Sequence, residues 1–504
     1  MNDFTLLIPE FLLLALAFSV LAIDLIIPKL SSRFVPLVIV FSLLGLIAFS
    51  LIHLWDRSNL LYDGILLIDF YSLFFKVFFL IIGIFIVLIS INFVRMHLDF
   101  PGEYYGILLM SLLGMVLMAS SGELLTAYIS LELLSFSLYI LVSFDRYNPK
   151  SNEAGTKFIL LGAFSSALLL YGISQVYGQV GSTYFKTIGE YLLSTPDLDL
   201  GIQTGLVLII AGFCFKIAAI PFHMWAPDTY EGAPIPVAAY IAVGSKVASF
   251  ALMLRLFTEA LIPAIGEWQF LIAIIAAISM SFGNLFAIVQ SNIKRLLAYS
   301  GIGHTGYILM GIVSLATISG SSIIDTDSSK VAINGLIFHL VTYSAASLSI
   351  FLCVSTIYNS TGREDLGVFA GLAKRSPGIA MIITGSLFSL AGLPIFAGFT
   401  SKFYLFNAAA INGFLWLSGL AIFTSLIALY YYLNIIKRMY LEPSEETGPL
   451  TIPILSRGVL GVLFIGLILF GIFPNPLMEG IQVATETLMS SSAFNQIDLK
   501  NVIN

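Results

Sequence analysis

Apolar residues in this chain come in long unbroken runs separated by short polar connectors. A helix that crosses the hydrocarbon of a bilayer needs about 17–25 such residues. Fourteen windows qualify: 4–27, 35–54, 71–94, 104–120, 122–143, 156–179, 202–222, 235–258, 268–289, 294–317, 331–357, 378–408, 413–436 and 457–473. Strands of a membrane barrel would alternate polar and apolar residues over short segments. No such alternation is seen, and the pattern predicts an all-α polytopic membrane protein of about fourteen transmembrane helices. The inside connectors near 144–155, 358–377 and 437–456 and an outside tail from 474 leave no room for a soluble catalytic domain, so a single domain over 1–504 is expected.

Loop charges test the span count. With the N-terminus outside, the inside segments carry Lys29, Arg33, Arg95, Arg146, Lys150, Lys157, Lys294, Arg295, Arg363, Lys374, Arg375, Lys437, Arg438 and Arg457. The outside segments carry Arg57, Lys186, Lys330 and Lys500. This bias follows the positive-inside rule and puts both termini on the outer side. Across 504 residues, 58% are hydrophobic and 10% charged, with a mean hydropathy of +0.98, far from soluble composition. The net charge of -6 says little about partners, and the absence of a clustered basic stripe excludes nucleic-acid binding. Asp3 and Glu10 stand where a signal peptide would be basic, so the first window is read as a retained span.

Five basic residues fall inside spans. Lys76 and Arg255 lie near outer ends and are expected to snorkel to the headgroups. Lys216, Lys246 and Lys402 are deeper, as is Glu132 in GELLTAYISLELLSFSLYIL. A lysine at a helix centre costs roughly 2.5–3.5 kcal/mol on insertion scales, so these groups should face the protein interior or a water-filled cavity. Intramembrane ionisable residues are candidates for a proton path, and Glu132 is the natural partner for one of the lysines. His304, His223 and His339 lie along the same series, where neutral imidazole can accept and pass a proton.

AGFCFK at 211–216 and AGFTSK at 397–402 share AGF-x-x-K, each with a nearby proline, Pro221 and Pro394. Paired interrupted spans point to a transporter core, because unwound backbone is tolerated only where it lines a cavity. GIGHTG at 301–306 fits G-x-G-x-x-G but lies within a span, so its glycines are read as close helix packing rather than as a dinucleotide site. In the connector PFHMWAPDTYEGAPIPVAAY, Asp228 and Glu231 are expected to be solvated. Cys214 and Cys353 stand alone in apolar runs and read as buried thiols. Metal and nucleophile motifs are absent, and no metal site is expected.

PFHMWAPDTYEGAPIPVAAYIAVGSKVASFALMLRLF, IKRLLAYSGIGHTGYILMGI and LAGLPIFAGFTSKFYLF resemble the membrane subunits shared by respiratory complex I and the Mrp-type cation/proton antiporters, over about residues 100–440. The resemblance implies two inverted five-helix repeats, spans 4–8 and 9–13, with helices 7 and 12 broken. The single antiporter-like domain would then divide into three N-terminal helices (1–100), a first repeat (101–260), a second repeat (261–440) and a last helix with an outer tail (441–504). Within that family, LIPEFLLLALAFSVLAIDL, YYYLNIIKRMY and LILFGIFPNPL, and lysine at 402, look like the subunit N branch of NADH-quinone oxidoreductase. Tyr343 and Ser347 in span eleven depart from the pattern of the other branches, which argues against an alkali-cation antiporter.

By the same resemblance Glu132, Lys216, Lys246 and Lys402 match the family's proton-translocating residues and His304 its span-ten histidine. The implied role is proton translocation in a bacterial inner membrane, coupled to electron transfer from NADH to quinone. FMN and iron–sulfur clusters would sit in partner subunits, with no cofactor on this chain and quinone bound elsewhere in the complex. The implied partners are the other membrane subunits (A, H, J, K, L, M), the hydrophilic arm and the lipid bilayer. A related complex using ferredoxin or another donor, and a cation/proton antiporter subunit, remain open alternatives.

Overall fold

The structure is a computed structural model that describes residues 3–490, except 27–33, 56, 196, 316, 320, 321, 325, 445–447, 449 and 451. Lys29, Arg33 and Lys500 lie outside the described residues.

Every apolar window holds a helix. In chain order the helices are α1 (Ile8–Ile26), α2 (Val35–Leu54), α3 (Phe70–His97), α4 (Pro101–Ser120), α5 (Leu124–Val142), α6 (Pro149–Val180) and α7 (Leu200–Lys216). They continue with α8 (235–261), α9 (Ile265–Ile288), α10 (Ile293–Val313), α11 (Thr326–Thr361), α12a (Pro377–Ala391), α12b (Ala397–Ile411), α13 (Leu415–Leu441) and α14 (Ile454–Ile472). Among the described residues, eleven helical stretches are long and apolar enough to cross a membrane. One of these, Ile235–Ile288, is an uninterrupted run that folds back between α8 and α9, and spans seven and twelve form shorter helices because each is interrupted. The chain is therefore a multi-pass membrane protein.

Local chemistry sets the helix starts. Asp69 and Ser72 form a reciprocal capping box on α3, and Asn148 and Asn292 accept amide hydrogen bonds at the starts of α6 and α10. The α10 and α11 helices are almost wholly buried, whereas α1, α2, α13 and α14 turn most of their apolar surface outward, as lipid-facing helices do. Glycines bring α9 and α10 into backbone contact: a Cβ on Gly283 would meet Gly303 N at 2.6 Å, and one on Gly306 would meet Ala276 O at 2.7 Å. Gly303 and Gly306 of GIGHTG thus serve helix packing.

Three expectations are corrected. The described part of the segment read as an outer tail does not run on without structure: Asn475–Ser490 is a further helix, α15, which buries Met478, Ile481, Ala484 and Leu488 and packs on α3 and α11. Its polar and apolar positions alternate with helical period, a pattern too short to read as a span.

Nor do Lys76 and Arg255 snorkel. Lys76 is 2% exposed and pairs with Glu10 at 2.6 Å. Arg255 is fully buried, forked onto both oxygens of Asp69 at 2.8 and 2.9 Å and onto Glu259 at 2.9 Å, with its guanidinium 4.7 Å from the centre of the Tyr71 ring. A carboxylate on a facing helix removes the need to reach for water.

Breaking a buried ion pair by removing one partner typically costs about 3–5 kcal/mol. Asp69→Ala is therefore expected to lower the thermal unfolding temperature of the detergent-solubilised protein and its yield in membranes; an unchanged unfolding temperature would contradict a clamping role for this pair.

Candidate functional site

The site is built around two interrupted helices. The α7 helix stops at Lys216, and Ala218 adopts a left-handed φ of 56°, a conformation that an L side chain resists. The freed backbone groups find side-chain partners: Trp225 Nε1 donates to Phe215 O at 2.9 Å, Thr305 Oγ1 donates to Ile217 O at 2.8 Å, and Ile220 N–H donates to Ser279 Oγ at 3.0 Å. Such answering groups are what make an interrupted helix tolerable at membrane depth. In the second break Gly392 and Ile395 have φ of 85° and 84°, Gly398 N–H donates to Ser389 Oγ at 3.1 Å, and Lys402 Nζ donates to Ala391 O at 3.1 Å.

The two breaks correct the reading of AGF-x-x-K as a matched repeat. AGFCFK ends α7 and precedes its interruption, whereas AGFTSK opens α12b and follows its own. Pro221 and Pro394 lie at comparable places within the breaks, but the lysines lie on opposite sides of them.

Lys216 is nine-tenths buried. Its ammonium donates to Glu132 Oε1 at 3.1 Å, Ser135 Oγ at 2.8 Å and Ser166 Oγ at 3.3 Å, and Ser166 Oγ donates to the same Glu132 oxygen at 2.6 Å. The lysine–glutamate pair expected from sequence is thus in contact. Lys246 follows a π-helical turn, Ile241–Ser245, and donates to Gly301 O at 2.6 Å. That carbonyl also lies 3.1 Å from Thr305 Oγ1, the hydroxyl that donates to Ile217 O beside Lys216. A row of polar atoms therefore runs from Lys246 to the backbone of the α7 break, one residue past Lys216.

Beyond Lys246 the row continues through rings. An added Cβ on Gly301 would lie 3.1 Å from both Lys246 Nζ and Tyr343 Oη, so the missing side chain leaves the space where these two groups face each other. The Tyr343 ring centre is 5.0 Å from that of His304, whose Nδ1 lies 3.2 Å from His339 Nε2. His339 Nδ1 is 2.9 Å from Ser401 Oγ. Ser401 Oγ donates to Gly398 O at 3.1 Å and accepts from Thr342 Oγ1 at 3.1 Å. With the serine proton committed to Gly398, His339 Nδ1 carries the hydrogen toward Ser401, and Nε2 is left to accept from His304. Next to Ser401, Lys402 donates to Ser425 Oγ at 3.1 Å, and its ammonium sits 4.6 Å from the Tyr307 ring centre.

The structure thus brings together Glu132, Lys216, Lys246, His304, His339 and Lys402. His223 is set apart. It lies in the connector after α7, its Nδ1 is buried without a hydrogen-bond partner, and among the described residues no hydrogen bond joins it to the row. The sequence reading missed Ser135, Ser166, Thr305 and Ser401 as neighbours of the charges. Ser135 stands one helical turn from Glu132, and Thr305 and Ser401 stand beside His304 and Lys402, spacings that offered a signal; Ser166 comes from a different span. Among the described residues, no group of three or more His, Cys, Asp or Glu comes together as a metal site.

Asp228 and Glu231 are not merely solvated. Asp228 pairs with Lys157 at 2.8 Å and Arg295 at 2.7 Å, while Glu231 pairs with Arg295 at 3.1 Å and Lys150 at 3.6 Å. These bridges tie the connector to α6 and α10. Nearby, Lys294 reaches Glu364 at 2.8 Å and Ala233 O at 3.0 Å.

The profile of the NADH:quinone oxidoreductase/Mrp antiporter transmembrane family matches residues 121–428, the stretch that holds both breaks and all six joined residues. NADH-quinone oxidoreductase subunit N of Desulfitobacterium hafniense is 40% identical over 495 residues, 97% of this chain and 99% of that one. The chain belongs to the subunit N family. Another member, subunit N of Moorella thermoacetica, is 39% identical over 95% of this chain and 97% of its own. A chain of respiratory complex I from Thermus thermophilus is similar to this structure, with a TM-score of 0.78 and 29% identity over 94% of this chain and 100% of that one. A chain of the Mrp complex from Dietzia shares the fold, with a TM-score of 0.82 and 20% identity over 97% of this chain and 99% of its own. These neighbours are chains of multi-subunit membrane complexes.

Burial alone would raise the Asp228 carboxyl, but its hydrogen bonds to Lys157 and Arg295 hold it below the usual carboxylate range. A group lowered on folding stabilises fully above its unfolded value, about 3.9 for aspartate, and that stabilisation is lost as the pH falls through the lower native value. Because Asp228 is about a third exposed, solvent screening limits the effect to under about 1 kcal/mol. Asp228→Asn is expected to lower the unfolding temperature slightly at pH 7 and to converge with the parent protein in strong acid; a constant difference across the pH range would contradict this.

Proposed function

We propose that this chain is a proton-translocating membrane-arm subunit of a bacterial NADH-quinone oxidoreductase. The reading rests above all on the buried row from Glu132–Lys216 through Lys246, His304 and His339 to Lys402. The names of its relatives support NADH as donor and quinone as acceptor. FMN and iron–sulfur centres would reside in partner subunits, with quinone bound elsewhere. The membrane subunits A, H, J, K, L and M would be its neighbours in the inner membrane, with both termini on the outer side. The chain would comprise three N-terminal helices, two five-helix repeats and a terminal helix, divided near residues 100, 260 and 440.

The chemistry assigns each group a task. Desolvation favours the neutral form of a buried amine, and a carboxylate alongside favours the ammonium. Movement of Glu132 away from Lys216 therefore releases a proton, and its return draws one in. Lys246 is the central relay: its partners are a carbonyl and a tyrosine face, neither of which is stranded as an unpaired charge when the amine becomes neutral. Water drawn into the Gly301 space carries the proton toward His304, and from the two imidazoles ordered water carries it on toward Lys402. His223 has no task in this path. Moving one charge against 100 mV requires about 2.3 kcal/mol, and a change of two units in proton affinity supplies about 2.7 kcal/mol, so repositioning one carboxylate has the needed scale.

In inside-out vesicles carrying the assembled complex, Lys246→Ala is expected to leave NADH-driven quinone reduction measurable but slower, while lowering initial proton uptake about tenfold, equivalent to about 1.4 kcal/mol. Uptake per NADH equal to that of the parent complex would remove Lys246 from the path.

His339→Leu cuts the link between His304 and Ser401 and is expected to reduce uptake to a similar extent, whereas His223→Leu leaves it unchanged. Equal loss in both histidine variants would contradict the row as drawn.

A further inference from the structure

A cavity of 620 Å³ opens among α2, α3, α11, α14 and α15, on the far side of Thr342 from Ser401 and His339. Its wall is aliphatic and aromatic, with Phe74, Phe78, Leu348, Val462, Phe470 and Leu477 among the lining residues. Two hydroxyl-bearing residues line it, and both hydroxyls are already committed. Ser344 Oγ donates to Leu340 O at 2.6 Å, and Thr342 Oγ1 donates to Ser401 Oγ at 3.1 Å. A buried water needs about two to four polar partners. This wall leaves no such set, and its occupant must be apolar.

Size narrows the class. A methylene occupies about the same volume as a water molecule, roughly 30 Å³, so a chain of sixteen to eighteen carbons needs roughly 500 Å³. The walls belong mainly to bilayer-spanning helices, where acyl chains are the surrounding solvent. At one end the cavity is lined by Trp55, and two residues further on Arg57 is exposed. An interfacial aromatic ring followed by a cation matches the ester and phosphate level of a phospholipid.

We propose that this cavity is a lipid-binding site that takes one acyl chain of a phospholipid from the leaflet on the Trp55 side, with the phosphate held near Arg57. The seated chain also closes the flank of the hydrogen bonds running from Thr342 through Ser401 to His339. The site goes beyond the proton-transfer reading and does not depend on it.

Gly466 and Gly480 line the cavity with open space for a side chain: an added Cβ at the first meets nothing closer than 4.0 Å, and at the second nothing within 4 Å. Gly466→Phe and Gly480→Leu therefore fill it from two walls. The assembled complex is reconstituted in phosphatidylethanolamine and phosphatidylglycerol vesicles containing a phosphatidylglycerol with a diazirine on its acyl chain. After irradiation, peptides are mapped by mass spectrometry. Label is expected on the cavity segments of α3 and α14 at about ten times the level on the outward-facing Phe423 and Leu426 of α13. Either filling variant should remove that excess without changing the α13 label, and Arg57→Gln should weaken it. Cavity label no higher than that on α13, or label unaffected by both filling variants, overturns the proposal, as does a neighbouring subunit's segment cross-linked within the cavity in place of lipid.

Discussion

Hydrocarbon offers no hydrogen bonds, so each polar group carried into it must be answered by another part of the same protein. An unanswered group costs several kcal/mol, and this constraint shapes every unusual feature of the fold. Trp225, Thr305 and Ser279 close the α7 break from three other places in the chain. The α12 break uses Ser389 and the ammonium of Lys402. The same rule that makes interrupted helices costly makes their surroundings polar, and the polar surroundings supply a row of hydrogen-bonding groups.

The buried charges fall into two kinds. Arg255, Lys76 and Lys294 each meet a carboxylate at 2.6–2.9 Å. Arg255 in particular cannot lose its proton and presents a rigid fork. Lys246 and Lys402 are held by carbonyl and hydroxyl oxygens and by aromatic faces, and among the described residues they form no ion pair. Loss of the proton from such a lysine strands no negative partner. Lys216 stands between these cases, with one carboxylate and two serine hydroxyls around it. Geometry thus separates charges that fasten helices from charges able to change state.

Much of this was legible in the chain itself. Fourteen apolar windows became helical spans because hydrophobic length is a direct requirement of the bilayer. Depth alone called for a lysine partner to Glu132, since a carboxylate in mid-span has few ways to be answered, and that partner is Lys216. Lys76 and Arg255 were misread because depth near a helix end permits snorkelling equally well, and the deciding partners, Glu10 and Asp69, are far away in sequence. The AGF-x-x-K match misled for another reason: a lysine's place relative to a helix interruption depends on where the backbone turns, and four shared letters do not encode that. His223 resembled the other histidines by neighbourhood in sequence, yet it lies in the connector and its Nδ1 has no hydrogen-bond partner. The amphipathic α15 was hidden because its apolar stripe is too narrow to register as a span.

One consequence follows from the way α8 is fastened. Lys246 and Arg255 are nine residues apart on a regular helix, which places them on opposite sides, about 13 Å apart along the axis. Arg255 grips Asp69, and Tyr71 Oη donates to Ala251 O at 2.7 Å, so the lower half of α8 is bolted to α3. The rod cannot spin to swing Lys246 toward one neighbour or another. Any change in where that amine points must come from torsions of its own four-carbon arm or from slack in the π-helical turn just before it, which confines the moving part to a few bonds inside an otherwise stationary frame.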